Sequence, residues 1–304
     1  MLNGFINIGK LPGMTSNDVV ARLKRILFPR FGKFKIGHAG TLDPMAEGVL
    51  PVALGEATKA LPYLSDTRKT YVFDIRFGRA TSTDDADGET VAETDSIPEP
   101  GEIERLLPRF TGRIMQTPPK FSAVKIGGRR AYELARANVE FEMKPRENFV
   151  HRLGILEIPA PGSMRLEVEA ERGFYVRSLA RDIALAAGSL GHAGLIRRTA
   201  SGAFALENSI TLDKLASMLD NWPQSLDVRN CICDFLLPIA IGLNGISVLC
   251  IGAEQNGRLR RGMKIPLPGL EASRLYQVHC ENSISAIAES ADGESLRPIR
   301  IFNL

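Results

Sequence analysis

The sequence predicts an α+β fold with a largely antiparallel mixed sheet and flanking helices, and three observations support this. Residues 69–78 and 163–173 alternate apolar and polar side chains, which is the pattern of half-buried strands. Residues 16–27 and 175–187 carry apolar side chains at three- and four-residue steps, which is typical of amphipathic helices. These segments do not follow the strand–helix–strand rhythm of a parallel sheet, so antiparallel pairing is favoured.

The first helix is predicted to begin in the stretch TSND at residues 15–18, whose short polar side chains suit a helix N-terminus. Its apolar stripe consists of Val19, Val20, Leu23, Ile26 and Leu27. Pro29 and Gly32 are predicted to end it, because both residue types disfavour continuation of a helix. The stretch GHAGTLDP, residues 37–44, follows as a loop.

The later elements are predicted in the same way. Tyr71, Phe73 and Ile75 share the apolar face of the strand at residues 69–78, and the helix at 175–187 has Gly188 as a C-terminal cap. Residues 84–104 hold nine acidic residues and no basic one, which predicts an exposed loop. Short apolar runs broken by Gly and Pro follow a boundary between residues 226 and 244 and predict a small β-rich domain.

Composition bounds the class of protein. The chain has 304 residues, 44% of them hydrophobic and 24% charged, which favours a soluble globular protein with one large and one smaller domain. It contains no apolar run of membrane-spanning length and no signal-like N-terminus, so we expect a cytoplasmic protein. The four cysteines form no CxxC pair and are expected to be reduced thiols.

Basic residues are concentrated in three tracts, although the net charge is only +3. Residues 22–35 carry six basic residues and no acidic one, residues 120–152 carry eight against four, and residues 258–264 carry four. Each tract alone is typical of solvated surface. Together, and interleaved with aromatic residues, they favour a surface that follows a phosphate backbone.

Several chemistries lack their motifs. The sequence has no P-loop and no GxGxxG between a strand and a helix, so a nucleotide cofactor is not expected. The four histidines are scattered, and TDDADGE at residues 83–89 fits a calcium loop poorly, so no metal is expected. A GxSxG elbow is also missing, which disfavours a serine hydrolase.

Asp43 is the unusual residue of the loop KIGHAGTLDPMAEGVLP, residues 35–51, because it is a carboxylate among glycines and apolar residues. Aspartate before proline is also ordinary turn chemistry, so both a turn and a reactive role stay open. Tyr71 can likewise be core or functional. Arg177 needs an anionic partner if it is buried, which makes an Arg177–Asp43 pair conceivable.

Six ordered segments resemble one family. The stretch GHAGTLDPMAEGVLPVALGEATK resembles the catalytic motif of the bacterial tRNA pseudouridine-55 synthases, the TruB family. GFINIGKLPGMTSNDVVARLKR, KTYVFDIRFGRATSTDDADGE, QTPPKFSAVKIGGRRAYELAR, RGFYVRSLARDIA and GLIRRTASGAF resemble its other segments, in the family's order, over residues 3–213. The resemblance implies a pseudouridine synthase catalytic domain at 1–235, with an RNA-clasping insert at about 120–150. A PUA-like RNA-binding domain would occupy residues 236–304.

The resemblance also implies an activity. Such enzymes isomerise the T-loop uridine at position 55 of tRNA to pseudouridine after flipping the base into a pocket. Asp43 matches the catalytic aspartate, as nucleophile or base, Arg177 the arginine paired with it, and Tyr71 the tyrosine stacked on the base. Further matches, which we expect to contact substrate or RNA, are His38, Thr41, Lys59, Tyr175, Ile196, Lys125, Arg129 and Arg130. The expected partner is the T arm of tRNA, bound by a monomer without cofactor, metal or membrane.

Two departures and three alternatives accompany this interpretation. Phe121 stands where the family often has tyrosine, and Glu47 adds a negative charge four residues from Asp43, which we expect to face water. The alternatives are a non-catalytic tRNA chaperone and a pseudouridine synthase acting on another RNA, such as a guide-RNA-dependent enzyme. A carboxylate glycosidase is the third, but no motif supplies its second acid.

Overall fold

A large and a small sheet carry the fold in the computed structural model, which describes residues 2–64, 68–223 and 225–304. The strands are β1 (Gly4–Lys10), β2 (Ile36–His38), β3 (Glu47–Leu54), β4 (Lys69–Phe77), β5 (Arg79–Thr81), β6 (Thr90–Glu93), β7 (Gly112–Gln116), β8 (Lys125–Ile126), β9 (Arg129–Arg130), β10 (Arg146–Ala160), β11 (Ser163–Ala170), β12 (Gly191–Ser201), β13 (Phe204–Ala205), β14 (Ser247–Cys250), β15 (Ile265–Pro266), β16 (Arg274–Cys280), β17 (Ser283–Ser290) and β18 (Ser295–Ile301). The α-helices are α1 (Ser16–Phe31), α2 (Leu61–Leu64), α3 (Pro100–Leu106), α4 (Ala131–Arg136), α5 (Val176–Ala186), α6 (Leu212–Asp220), α7 (Arg229–Cys233) and α8 (Ala253–Arg260). Short 3-10 helices lie at Gly55–Ala60, Leu107–Phe110, Leu206–Asn208 and Ile239–Leu243.

The large sheet is mixed and mainly antiparallel. In the described part of the chain it has nine strands, with the path β1-β3-β12-β4-β11-β10-β7, and with β2 on β3 and β13 on β12. The β12–β3 pair is parallel, whereas β1–β3, β4–β12, β4–β11 and β10–β11 are antiparallel. The predicted α+β class with a largely antiparallel mixed sheet is therefore confirmed.

The two strands predicted from alternation are neighbours in this sheet. Tyr71 lies opposite Val168 and Phe73 opposite Leu166, and all four side chains are buried. Helix α5 packs its apolar stripe against β4 and β12. Gly188 follows the end of this helix with φ +71°, as its predicted capping role requires.

Helix α1 starts where the sequence predicts, and Gly32 ends it as predicted. Thr15 caps it: its hydroxyl accepts from the Asp18 amide at 3.1 Å, and the Asp18 carboxylate accepts from the Thr15 amide at 2.8 Å. The prediction that Pro29 ends the helix is wrong, because the helix continues to Phe31. A proline in the last turn removes one amide donor, and Gly32 still donates to the Phe28 carbonyl at 3.1 Å.

The acidic tract is mostly exposed, as predicted, but it is not a loop throughout, and its first two carboxylates are not exposed. It contains β6, paired with β5, and helix α3, which begins at Pro100 after a capping interaction between Glu99 and Glu102. Asp84 and Asp85 fold inward, and Asp85 is only 5% exposed. The expectation failed for Asp84 and Asp85 because arginines from α5, distant in sequence, pair with both carboxylates.

The C-terminal part is β-rich, as predicted. Its five described strands pair in the order β14-β16-β17-β18-β15. Ile284, Ile287 and Phe302 share one apolar cluster with Phe5 of the large sheet, so the two sheets share part of a hydrophobic core. The four cysteines are free thiols. Within the described residues, no helix is both long and apolar enough to cross a membrane.

Candidate active site

Asp43 lies in the loop between β2 and β3, and neighbouring elements fix this loop by hydrogen bonds. The Ser16 hydroxyl, in the first turn of α1, bonds to both the amide and the carbonyl of Leu42 at 2.9 and 3.1 Å. On the other side of Asp43, the carbonyl of Pro44 accepts from the Gly13 amide at 2.9 Å and from Lys10 Nζ at 3.1 Å. Asp43 is thus held from both flanks.

Arg177 in the first turn of α5 faces this loop and is 4% exposed. Its Nη2 atom lies 2.9 Å from Oδ2 of Asp43, and its Nη1 atom lies 3.4 Å from Oδ2 of Asp85. The same two nitrogens donate to the carbonyls of Thr83 at 2.9 Å and Phe121 at 3.0 Å. A buried arginine needs such acceptors, so the guanidinium position is strongly determined.

The electrostatics of Asp43 follow from this arrangement. Burial raises the pKa of the Asp43 carboxyl, while the Arg177 guanidinium opposes the rise and Asp85 adds to it. Lys10 also favours the carboxylate, and burial lowers the pKa of Lys10 itself to about 8. Asp43 is therefore a carboxylate in a weakly solvated site whose ionised form depends on Arg177.

A cavity of about 280 Å³ opens beside this ion pair. Tyr71 and Ile196 supply apolar walls, and the Asp43 side chain is 38% exposed to it. A larger concavity of about 790 Å³ lies elsewhere, between Leu107 and Ile155. We place the site in the smaller cavity, because its carboxylate pairs with a buried arginine. The described lining of the larger one has no such pair, and the Arg68–Glu169 pair in a third cavity lies at the surface.

The structure brings six of the residues implied by the resemblance to this one cavity. They are Thr41, Asp43, Tyr71, Tyr175, Arg177 and Ile196. These residues come from the β2–β3 loop, β4, the N-terminal end of α5 and β12, four segments that are far apart in sequence. Burial raises the pKa of the Tyr175 phenol.

Two other implied residues lie outside the cavity lining. Lys59 Nζ binds Glu56 at 2.6 Å and the Ile301 carbonyl at 2.8 Å, so it contacts the C-terminal strand β18. His38 is in β2, where burial lowers the pKa of its ring and Nδ1 has no hydrogen-bond partner among the described residues.

The three implied phosphate contacts lie together on the insert. Lys125 is in β8, and Arg129 and Arg130 are in β9, which pairs with it. All three side chains are exposed. They form a solvent-exposed basic hairpin tip.

Several charged residues of the site were not predicted from the sequence. Asp85 belongs to the tract predicted as an exposed loop, yet it shares Arg177 with Asp43. Lys10 lies under the Asp43 loop, and Arg198, fully buried, lines the inner cavity while bonding to the carbonyls of Gly40 and Val49. No local pattern marks them, because each is ordinary in its own segment.

Glu47 is neutralised, which explains why its extra charge is tolerated. Its carboxylate lies 2.5 Å from Nε of Arg197, on the parallel strand β12, and its side chain is 21% exposed. The sequence alone led us to expect that Glu47 faces water, but its side chain is mostly covered and paired with Arg197. The partnered charge opposes the ionisation of Asp43 less than a free one would.

Comparison with known proteins connects this site to a family. The family model described as TruB family pseudouridylate synthase (N terminal domain) matches residues 24–176. A second model, tRNA pseudouridylate synthase B C-terminal domain, matches residues 177–244. The chain belongs to the TruB family. The resemblance stated from sequence segments is thereby confirmed.

Curated TruB relatives match over the whole chain. One from Ruegeria pomeroyi, named tRNA pseudouridine synthase B, is 44% identical over 99% of this chain and 96% of its own length. One of the same name from Bradyrhizobium diazoefficiens is 40% identical over 100% of this chain and 86% of its own length. A solved Cbf5-Nop10-Gar1 complex contains a chain of the same fold, with a TM-score of 0.77, 26% identity, and coverage of 99% of this chain and 85% of that one. The TruB assignment makes this chain a pseudouridine synthase.

Proposed function

We propose that the chain isomerises the uridine at position 55, in the T loop of tRNA, to pseudouridine, with Asp43 as the essential carboxylate. The observation that carries the proposal is the ion pair between Asp43 and the buried Arg177, beside a cavity walled by Tyr71 and Ile196. The tRNA substrate is supported by the curated relatives, which are named tRNA pseudouridine synthase B.

The chemistry redistributes bonds within one nucleotide. The bond between C1′ and N1 breaks, the uracil turns, a bond forms between C1′ and C5, and the proton on C5 is lost while N1 gains one. Asp43 acts in its ionised form, as nucleophile or base. Arg177 keeps it ionised by offsetting the cost of burial. Tyr71 and Ile196 hold the flipped base by stacking and apolar contact.

RNA binding requires a second set of residues. A stacked uridine must be extruded at a cost of about a few kcal/mol. We propose that the basic hairpin tip, Lys125, Arg129 and Arg130, binds phosphates of the T arm and supplies part of that free energy. In this proposal the catalytic domain spans residues 1–235, residues 236–304 add a PUA-like RNA-binding domain, and a cytoplasmic monomer acts on the tRNA. His38 and Thr41 then contact the flipped RNA near the β2–β3 loop.

Tritium release from an unmodified tRNA transcript labelled at uridine C5 tests this proposal. We expect wild type to release tritium from the T-loop uridine and Asp43→Asn to bind the transcript without releasing it. Asp95→Asn, in an exposed position, is the matched control and should release tritium like wild type. An active Asp43→Asn variant would show that this carboxylate is not essential.

A second outcome favours the alternatives. If wild type binds the transcript tightly and releases nothing, the chain either remodels tRNA without chemistry or modifies another RNA. Repeating the release assay with labelled ribosomal RNA separates these two, since an enzyme for another RNA would release tritium there.

A further inference from the structure

A buried amide side chain holds the backbone just before Arg177. Gln116, the last residue of β7, is 1% exposed. Its Oε1 accepts from the Tyr175 amide at 3.1 Å, and its Nε2 donates to the Tyr175 carbonyl at 3.2 Å. Asn148 Nδ2 donates to the same Oε1 at 3.2 Å and to the Gly173 carbonyl at 3.4 Å. The amide thus satisfies both backbone groups of the residue that caps α5.

Gln116 and Asn148 also lie at the two ends of the insert. The chain leaves the sheet after Gln116 in β7 and returns through β10, where Arg146 pairs with Gln116 and Asn148 with Ile114. The basic hairpin tip lies between these ends. Gln116 and Asn148 therefore lie where the insert joins the sheet, so a displacement of the insert would act on them before it acts on the rest of the sheet.

The first residues of the insert bind the first turns of α5 directly. The Thr117 carbonyl accepts from the Ser178 hydroxyl at 2.8 Å and from Arg181 Nη2 at 3.0 Å. The Phe121 carbonyl accepts from Nη2 of Arg177 at 3.0 Å, the same nitrogen that lies 2.9 Å from Asp43. One nitrogen of Arg177 is therefore shared between the insert and Asp43.

We propose that Gln116 is a positioning residue for the Asp43–Arg177 pair, and that with Asn148 it couples the seating of the insert to the placement of the Arg177 guanidinium. The inference rests on the proposed function for its link to RNA, but its geometric part concerns the protein alone. RNA bound at the hairpin tip would act on Asp43 through the contiguous contacts described above.

The expected consequence is a change in the acidity of Asp43. Arg177 lowers the pKa of this carboxyl, so a displaced guanidinium lets burial raise it further. The other charged or titratable groups around Asp43 come from several elements. They are Lys10, Lys69, Tyr71, Asp85, Glu171, Arg172, Tyr175 and Arg198. Tyr175 is itself held by Gln116, but the pKa of its phenol is raised, so it carries no charge where a carboxyl titrates.

The test compares Gln116→Met with a matched control. Gln277 in the C-terminal sheet is also a buried amide, 5% exposed, bonded to the carbonyls of Leu243 and Ile246. Gln277→Met removes similar bonds, and neither Gln277 nor its partners line the cavity. In the full chain labelled with ¹³C-aspartate, we expect the Asp43 carboxyl of Gln116→Met to titrate about one pH unit higher than in wild type. Gln277→Met should leave it in place.

The reverse result overturns the inference. If Asp43 titrates alike in all three proteins, Gln116 is structural and does not position Arg177. If Gln116→Met does not fold, Asn148→Ala replaces it. We then expect the Asp43 carboxyl to titrate at a higher pH than in wild type, by less than in Gln116→Met. An unchanged titration would contradict the proposal.

A kinetic readout separates this inference from the proposed function. Single-turnover tritium release by Gln116→Met at saturating enzyme should be about tenfold slower on the acidic limb and converge with wild type at higher pH. A wild type without release contradicts the proposed function, and the titration still decides the inference. An active enzyme with an unmoved Asp43 titration contradicts the inference alone.

Discussion

At the scale of single residues, the cations around Asp43 favour its ionised form, which burial opposes. Arg177 meets Asp43 and Asp85 together, and Lys10 supports the loop from below. If one member of this set is removed, its partner keeps a charge that nothing neutralises. That loss lowers the free energy of unfolding by more than the intact pair contributes to it. The site is therefore sensitive to substitutions that leave Asp43 itself intact.

Lys10 should make stability depend on alkaline pH. Burial lowers its folded-state pKa from 10.5 to about 8, so between these values the folded state releases a proton that the unfolded state keeps. The contribution of Lys10 to the free energy of unfolding therefore rises with pH across that window. Urea unfolding from pH 8 to 10 should show wild type gaining stability relative to Lys10→Met.

An exposed lysine of α1 supplies the control for this measurement. Lys24→Met should give a stability curve that stays parallel to wild type over the same pH range. If the Lys10→Met curve is parallel as well, the ammonium is not desolvated in the folded state.

At the scale of elements, the start of β3 is packed so closely on β12 that a glycine is required. A Cβ atom at Gly48 would lie 2.2 Å from the Arg198 carbonyl oxygen, and φ there is +107°. This approach aligns β3 with its parallel partner and sets the end of the Asp43 loop. The loop is thus located by backbone packing as well as by hydrogen bonds.

Two glycine substitutions should separate backbone strain from steric clash. Gly13→Ala, with φ +87° and nothing near its Cβ, should cost about 1–2 kcal/mol of unfolding free energy from strain alone. Gly48→Ala adds the clash and should cost roughly 3 kcal/mol or more. Chemical denaturation measures both, and equal losses would show that the β3–β12 contact can relax.

At the scale of the whole molecule, the C-terminal strands are fastened to the catalytic sheet. Phe5 and Phe204 meet edge to face with ring centroids 5.6 Å apart, and Ile284, Ile287 and Phe302 complete that cluster. Polar contacts at the edge add to it, since Glu56 accepts from the Asn303 amide at 2.6 Å and Lys59 reaches the Ile301 carbonyl. The two sheets should therefore unfold cooperatively.

Lys59 allows the structural and the family-implied roles to be compared. Lys59→Met removes its bonds to Glu56 and Ile301 and should lower the unfolding free energy by about 1–2 kcal/mol, with single-turnover release nearly unchanged. Arg68→Met, whose partner Glu169 is 3.4 Å away at the surface, is a control of similar size. A rate loss of about a hundredfold with stability intact would place Lys59 in catalysis after all.

Local pattern was enough for the two strands and two helices that were placed individually from the sequence. The strand at 69–78, the start of α1, and α5 with Gly188 were predicted correctly. The spacing of apolar residues and the identity of capping residues depend only on residues close in sequence. The prediction that Pro29 ends α1 was wrong. Whether a proline ends a helix depends on how many backbone hydrogen bonds of the helix it disrupts, and near the C-terminal end these are few. The resemblance, rather than residue chemistry, selected Asp43 over an ordinary turn residue.

Tertiary structure alone decided how the charges are paired. Nothing in the acidic tract indicates that Asp85 turns inward to Arg177, 92 residues later. The sequence around Glu47 likewise does not indicate that this residue pairs with Arg197 on the neighbouring parallel strand. The tertiary structure also places Gln116 against Tyr175 and separates Lys59 from the cavity. Periodicity reports which face of an element is buried, whereas the partner of a buried charge depends on which elements the fold brings together.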